Sequence, residues 1–481
     1  MNSYIYYDQS LEYPSLEEDI FSPSQYYPEY PWSEKAQHPN KVYEAIRSLF
    51  YSYGLDKDNF GKSSWNPLKK IISPGMKVLI KPNMVLHQTN GNYDVLITHP
   101  SIIRAVGDYV CIALQGSGEI IIADSPIQSC NFYKLINETG YQKLKSYYSK
   151  KHINLKLLDL RQTCASINKD KEIKSEELSL DPLGYQLVNL YSSSFHADQN
   201  INPSLFRVTN YAPSTMHKYH NKNSHAYLIS KTVLSADAVI SIPKLKTHRK
   251  AGMTGAIKNC VGIVGDKACL PHHKSGPLSE GGDEYLYKST TKRINTICNE
   301  VSDILNKKNL IFFVKYIRKF QHINNTLIKL YKKDNYFEGS WYGNDTISRT
   351  SLDLLRILTF SSKSGDIKAS PQRNILFLVD GIIAGEGEGP LLASPRQTGI
   401  LGISDNAIIL DSILATLMGF DINKIPTLVH GLKSIGQKID NIEIITNNHY
   451  WNNKYLSEIS YQESLKFKPT SGWDGHILIS K

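Results

Sequence analysis

Lys244, Lys246 and His248 are spaced two residues apart at the end of an apolar run, so an extended chain would turn all three side chains to one face. Ammonium groups bind carboxylates and phosphates. An imidazole, alone among side chains, titrates near neutral pH without help. Lys258 and Asn259 follow in a short helix after Gly255, whose first backbone N–H groups would add to a cradle for an anion. The combination is suited to an enzyme acting on a small anionic metabolite. His248 would move the proton, and Lys246, Lys258 and Asn259 would hold the charge, with Lys246 close enough to share in the chemistry.

Three further polar clusters stand in the same relation to apolar runs. Lys81-Pro82-Asn83 follows KVLI, Asp124-Ser125-Pro126 follows EIIIA, and Asp380-Gly381 follows NILFLV and leads into GEGEGP from Gly385 to Pro390. A lone strand-end Asp is usually a helix cap, and a lone Lys is usually a solvated group. Four clusters at strand ends instead describe a charged cleft, because open parallel sheets bind ligands beyond the carboxyl ends of their strands. Lys81, Asn83 and Lys244 would then assist in binding, Asp124 and Asp380 would orient the proton-transfer group, and Trp341 with Asn344 and Asp345 would wall the pocket.

Carboxylates brought together repel one another unless lysines neutralise them, one stays protonated, or a hard cation bridges them. Asp124, Asp380 and Glu386 (or Glu388) are therefore the candidate ligands for a divalent cation. The vicinal pair His272-His273 is a poor chelator, since adjacent side chains diverge. GEGEGP lacks the strand-to-helix arrangement of a nucleotide fingerprint and is expected to be a tight loop close to the ligand. No G-x-S-x-G, P-loop or H-E-x-x-H pattern is present, which argues against several hydrolase and kinase chemistries.

The elements that must position these residues alternate. Runs such as MKVLIKP, GEIIIAD, INLKLLDL and DAVISIP are apolar on consecutive residues and are separated by helical stretches such as KVYEAIRSLFYSY and SIIRAVGDYVCIAL. That pattern predicts an α/β fold with a mostly parallel sheet, flanking helices and a helical insertion. The expected organisation is an irregular arm and helix over 1–58, a first α/β core over 59–300, a basic helical insertion over 301–350, and an α/β part over 351–481 that completes the core. Within the first core, residues 165–225 are read as a polar insertion and YLISKTVLS as a helix; in the last part, GILGISD is read as a strand and NIEIITN as a terminal strand.

With 481 residues and 41% hydrophobic content, the chain can bury a large core. Eight of its ten excess positive charges lie between Lys307 and Lys333, a stretch without Asp or Glu, so nucleic-acid binding is not expected. The same stretch holds Leu310, Phe313, Val314, Ile317, Phe320, Leu327 and Tyr331 at helical spacing. Such a stripe is expected to pack on its own domain. If it is left uncovered, the rival reading is a ligand-binding or assembly protein attached peripherally to a membrane. The six cysteines have neither paired nor cluster-type spacing, so free thiols and no iron–sulphur cluster are expected. The acidic N-terminus and the lack of a long apolar run predict a cytoplasmic protein without a transmembrane segment.

KPNMV, THP, ADSP, PKLKTHRKAGMTGAIKNCVGIVGDK, WYGNDT and DGIIAGEGEGP, in that order, resemble the family called domain of unknown function 362. The resemblance runs from about Trp65 to Phe420. It implies redox chemistry for some members, which carry an iron–sulphur ferredoxin module, and this chain has no such module.

Overall fold

In a computed structural model describing residues 3–16, 20–87, 93–167, 173–330 and 336–480, the apolar runs become strands of one nine-stranded sheet. These are β1 (Ser3–Tyr7), β2 (Lys77–Pro82), β3 (Glu119–Asp124), β4 (Leu155–Asp159), β5 (Ala238–Ile242), β6 (Lys244–His248), β7 (Gly252–Thr254), β8 (Asn374–Glu388) and β9 (Leu392–Ser404). The main order is β1-β9-β8-β5-β2-β3-β4. From β8 to β4 every pairing is parallel, while β9 and β1 are added antiparallel at one edge. The fold is therefore α/β with a mostly parallel sheet.

Consecutive apolar residues are needed because both faces of the sheet are covered. Val78, Ile80, Ile120, Ile122 and Ile240 enter one apolar cluster with Ile46, Leu49, Val106 and Val110 of helices Lys41–Tyr53 and Pro100–Leu114. Leu79, Ile121 and Val239, one residue out of phase, enter another with Leu354 and Ile357 of helix Thr346–Phe360. Each fully buried Val, Leu or Ile contributes about 1.5–3 kcal/mol, so a one-residue slip of any inner strand would be costly.

The chain runs outward from β2 through β3 to β4, then returns to place β5 on the other side of β2. The strand order therefore reverses between β2 and β5, where Lys81 lies opposite Ser241. A crevice at the carboxyl ends of two strands that diverge in this way is the natural ligand site of such a sheet.

Several local expectations are corrected. The N-terminal arm supplies edge strand β1, whose Ile5 is fully buried. Ser224–Ser230 is a strand of a separate three-stranded sheet, and only Lys231–Ser235 of YLISKTVLS is helical. The glycine-rich stretch belongs to the long hairpin β8–β9. Gly385 sits where a Cβ would meet the Lys246 Cβ at 2.9 Å, so its glycine lets β8 approach β6. GILGISD is a strand as expected, the end of β9, whereas NIEIITN keeps only the two-residue strand Glu443–Ile444.

Helices Thr290–Lys307 and Ile311–Leu330 pack together as a hairpin. Its expected inward apolar stripe is not observed: Leu310, Phe313 and Phe320 are exposed, and Val314 alone of the named positions is fully buried. The Leu327 side chain and Tyr331 lie outside the described residues. No helix among the described residues is long and apolar enough to cross a membrane.

Candidate functional site

A cavity of about 740 Å³ opens at the reversal of strand order, lined from β3, β6, β7, the helix Ala256–Asn259, the β8–β9 turn and residues 208–211 of the polar insertion. Lys246, Arg249, Lys250, Lys258 and Lys267 all reach it, against the two carboxylates Asp124 and Glu388.

The floor is a closed polar network. Lys81 donates to Asp124 Oδ1 at 2.8 Å, to Asn259 Oδ1 at 3.3 Å and to the Pro82 carbonyl at 3.2 Å. The other Asp124 oxygen accepts the Met84 N–H at 2.7 Å, and the Asn259 amide donates to Ser241 Oγ at 3.0 Å and to the Lys81 carbonyl at 3.3 Å. A Cβ on Gly262 would meet Asp124 Oδ1 at 1.9 Å, so only glycine permits this packing. Lys81, Asp124 and Asn259 are thus brought together, with their hydrogen-bonding capacity largely used on one another.

Above the floor, Lys246 donates to Asn83 Oδ1 at 3.1 Å and to the Leu96 carbonyl at 2.7 Å. Burial, together with the positive charges of Lys244 and Lys258, brings its pKa down to about 7. Burial also brings Lys267 to about 7, although its ammonium donates to the carbonyls of Val261 and Val264. Lys250 and Lys258 are lowered to about 8, again mainly by burial, and Lys258 further by the charge of Lys250. Among the described residues, no hydrogen bond or ion pair is made by either of those two ammonium groups.

His248 and His272 both line the cavity and differ in hydrogen-bonding character. His248 Nδ1 accepts the backbone N–H groups of Lys250 (3.1 Å) and Ala251 (3.2 Å), which leaves the ring proton on Nε2. His272 Nδ1 donates to the Leu270 carbonyl at 2.8 Å, which leaves Nε2 as an acceptor. Burial first, then the surrounding lysines and arginine, hold both rings well below their ordinary pKa and therefore neutral. Thr254 Oγ1 and Gln128 Nε2 also line the cavity and are buried without partners among the described residues.

The remaining sequence candidates lie elsewhere. Lys244 forms a fully buried pair with Asp380 at 3.1 Å, closed by the Tyr13 hydroxyl and by the His99 backbone N–H on Asp380 Oδ2. The β6–β8 register is irregular between Lys244 and Lys246, and of the three alternating residues only Lys246 and His248 reach the cavity. Glu386 pairs with Arg396 at 2.8 Å. Trp341 donates to the Asp283 carbonyl, Asn344 to the His272 and Gly339 carbonyls, and Asp345 pairs with Arg349 and His430. None of these is a cavity residue, although Asn344 braces the chain at His272.

Two chemical expectations are corrected with them. Asp124, Asp380 and Glu386 do not converge: each is neutralised by its own lysine or arginine, and no group of three metal-ligating side chains occurs among the described residues. The first N–H groups of the helix Ala256–Asn259 are not free either. Asp411 accepts those of Ala256 and Ile257 at 2.7 and 2.9 Å, and burial raises its carboxyl to about 7.

Arg249, Lys250, Lys267 and His272 were not among the sequence candidates. All but His272 fall inside the motif carrying the family resemblance, yet nothing in their spacing distinguishes a buried lysine from a solvated one.

A family model described as Domain of unknown function (DUF362) matches residues 78–183 and 199–416. No curated protein matches the sequence. Among solved structures, the crystal structure of a Thermotoga maritima protein from the Northeast Structural Genomics Consortium is similar at 10% identity and a TM-score of 0.29. That alignment covers 75% of this chain and 54% of the other, so this chain spans about half of that protein's length.

Proposed function

We propose that this chain, which belongs to the DUF362 family, is a cytoplasmic enzyme that binds a small metabolite bearing carboxylate or phosphate groups and moves a proton on it. One observation carries the reading: five basic side chains reach one cavity that offers two carboxylates, one of them already paired with Lys81. Buried like charges lower one another's pKa, and a bound anion relieves that repulsion. Lys250 and Lys258, whose ammonium groups make no hydrogen bond or ion pair among the described residues, are the anion-binding groups. Lys246, whose pKa is about 7, exists in both protonation states near neutrality and is the proton-transfer group. His248 donates through Nε2 and His272 accepts through Nε2, which orients a ligand carrying both kinds of polar group.

The expected assignment of proton transfer to His248 passes to Lys246 in this reading, because the ring is held neutral by its surroundings. Nucleic acid is not the ligand proposed, since the cationic groups sit inside a cavity rather than along a surface.

Native mass spectrometry of the purified protein should detect a co-purifying anion. Calorimetry with citrate, phosphate and pyrophosphate should show binding that weakens about tenfold or more in Lys258→Met, as expected for loss of a charge-assisted contact. A folded protein that carries no anion and binds none of the three would refute the proposal.

A further inference from the structure

The helix Ile311–Leu330 is amphipathic in the wrong sense for a helix packed on its own domain. Its inner face carries polar groups. Gln321 donates to the Asn295 carbonyl at 3.2 Å and to Asn299 Oδ1 at 2.8 Å, and Asn324 donates to the Thr291 carbonyl and Asn295 Oδ1, both at 2.7 Å. Arg318 joins the same seam through Asn299 and Gln321 at 2.8 Å. The outer face carries the large apolar groups: Phe312 is 66% exposed, Phe313 54%, Tyr316 56%, Phe320 53% and Ile323 63%. At 100° per residue these five positions fall within one stripe about 100° wide, with Lys315 and Lys319 along its border.

An isolated exposed Phe needs no explanation, but a contiguous stripe of three Phe, a Tyr and an Ile does. The charges around it select the occupant. From Lys307 to Lys319 there are five Lys or Arg and no Asp or Glu. A second copy of the same face would set lysine against lysine, whereas an anionic bilayer satisfies both parts. The rings enter the boundary between headgroups and acyl chains, and the ammonium groups meet lipid phosphates.

We infer that this helix lies flat on the surface of an anionic phospholipid membrane, with Phe312, Tyr316, Phe320 and Ile323 inserted and Lys315 and Lys319 at headgroup level. Docking of this kind holds the chain at the membrane without crossing it. It is independent of what occupies the cavity.

Sedimentation of the full chain with vesicles tests the inference. Vesicles of phosphatidylcholine containing about one third phosphatidylglycerol should retain the protein, and pure phosphatidylcholine should retain at least about tenfold less, given roughly fivefold in binding for each basic group near the surface. Phe312→Ser/Phe320→Ser should lose retention on both vesicle types, and Lys315→Glu/Lys319→Glu should lose the preference for anionic lipid. Both pairs are solvent-facing, so circular dichroism and thermal midpoint should match the parent. No retention of the parent on anionic vesicles, or retention unaltered in both variants, would overturn the inference. So would concentration-dependent dimerisation abolished by Phe312→Ser/Phe320→Ser, because a second copy would then be the occupant.

Discussion

His248 Nδ1 lies 3.1 Å from the backbone nitrogen of Lys250, and through that contact β6 sets both the tautomer of the ring and the path of the following loop. An N–H donor placed there repels a proton on Nδ1, while burial and the nearby charges of Lys258 and Arg249 oppose the imidazolium form. The ring should therefore remain neutral, protonated on Nε2, at neutral pH and through the ordinary histidine range. Nitrogen-15 spectra of labelled protein, assigned with His248→Gln, should show no titration in that range. A midpoint near the ordinary histidine value would mean that the cavity is far wetter than described. His248→Gln, which can place an amide N–H near the original Nε2, should retain more ligand affinity than His248→Phe.

The four cavity lysines predict a pH dependence of both stability and binding. Their folded pKa values are about 7 for Lys246 and Lys267 and about 8 for Lys250 and Lys258, against the ordinary 10.5. A depressed folded pKa means that the unfolded chain binds more protons between the two values, so stability rises with pH across that window and is lost as pH falls through the folded pKa. The ligand-free protein should therefore gain stability from these groups between pH 7 and 10. An anion restores the lysine pKa values and draws protons in. Citrate affinity should thus fall from pH 7 to pH 9, and calorimetry in buffers of different ionisation enthalpy should register net proton uptake. Binding without buffer dependence would show that the lysines remain charged in the empty cavity.

Lys81 and Asp124 predict a double-mutant result. Both side chains are almost fully buried at 2.8 Å. Lys81→Met leaves a buried carboxylate without its cation and should cost about 3–5 kcal/mol by chemical denaturation, whereas Lys81→Met/Asp124→Leu should recover much of that loss. A single variant as stable as the parent would place water in the floor of the site.

How far the sequence announced this arrangement can be judged from the same residues. The runs ending at Lys81, Asp124 and Ile242 became adjacent parallel strands because an inner strand must be apolar on both faces, and that pattern is visible in the letters. Lys246 and His248 of β6, and Lys258 of the helix Ala256–Asn259, reached the cavity at the carboxyl edge of the parallel sheet. Lys244 and Asp380 are also at strand ends, yet they pair with each other away from it. That pairing depends on how β8 meets β6 across more than a hundred residues, which local spacing does not encode. Lys250 and Lys267 escaped notice for a related reason: the low pKa that sets them apart arises from burial. The helix Ile311–Leu330 shows the opposite failure, since its apolar period is genuine but the face it marks points outward.

Thr254 stands directly across from Lys246 in the β6–β7 pairing, 3% exposed, and its hydroxyl has no hydrogen-bond partner among the described residues. A buried hydroxyl without a partner opposes folding, because water was lost and nothing replaced it. Under the proposed function its partner would be the bound ligand, to which it can donate or from which it can accept a hydrogen bond beside Lys246. Thr254→Val keeps the shape and removes the polar atom, so its effects on stability and on function should separate. Without ligand, the thermal midpoint should hold or rise. With citrate or the co-purifying anion, affinity should fall about five- to tenfold, corresponding to about 1–1.5 kcal/mol for one neutral hydrogen bond. A variant that loses stability in the empty state would show instead that the hydroxyl is already satisfied by an ordered water and belongs to the framework of the sheet. A variant that binds as tightly as the parent would show that the ligand does not reach Thr254.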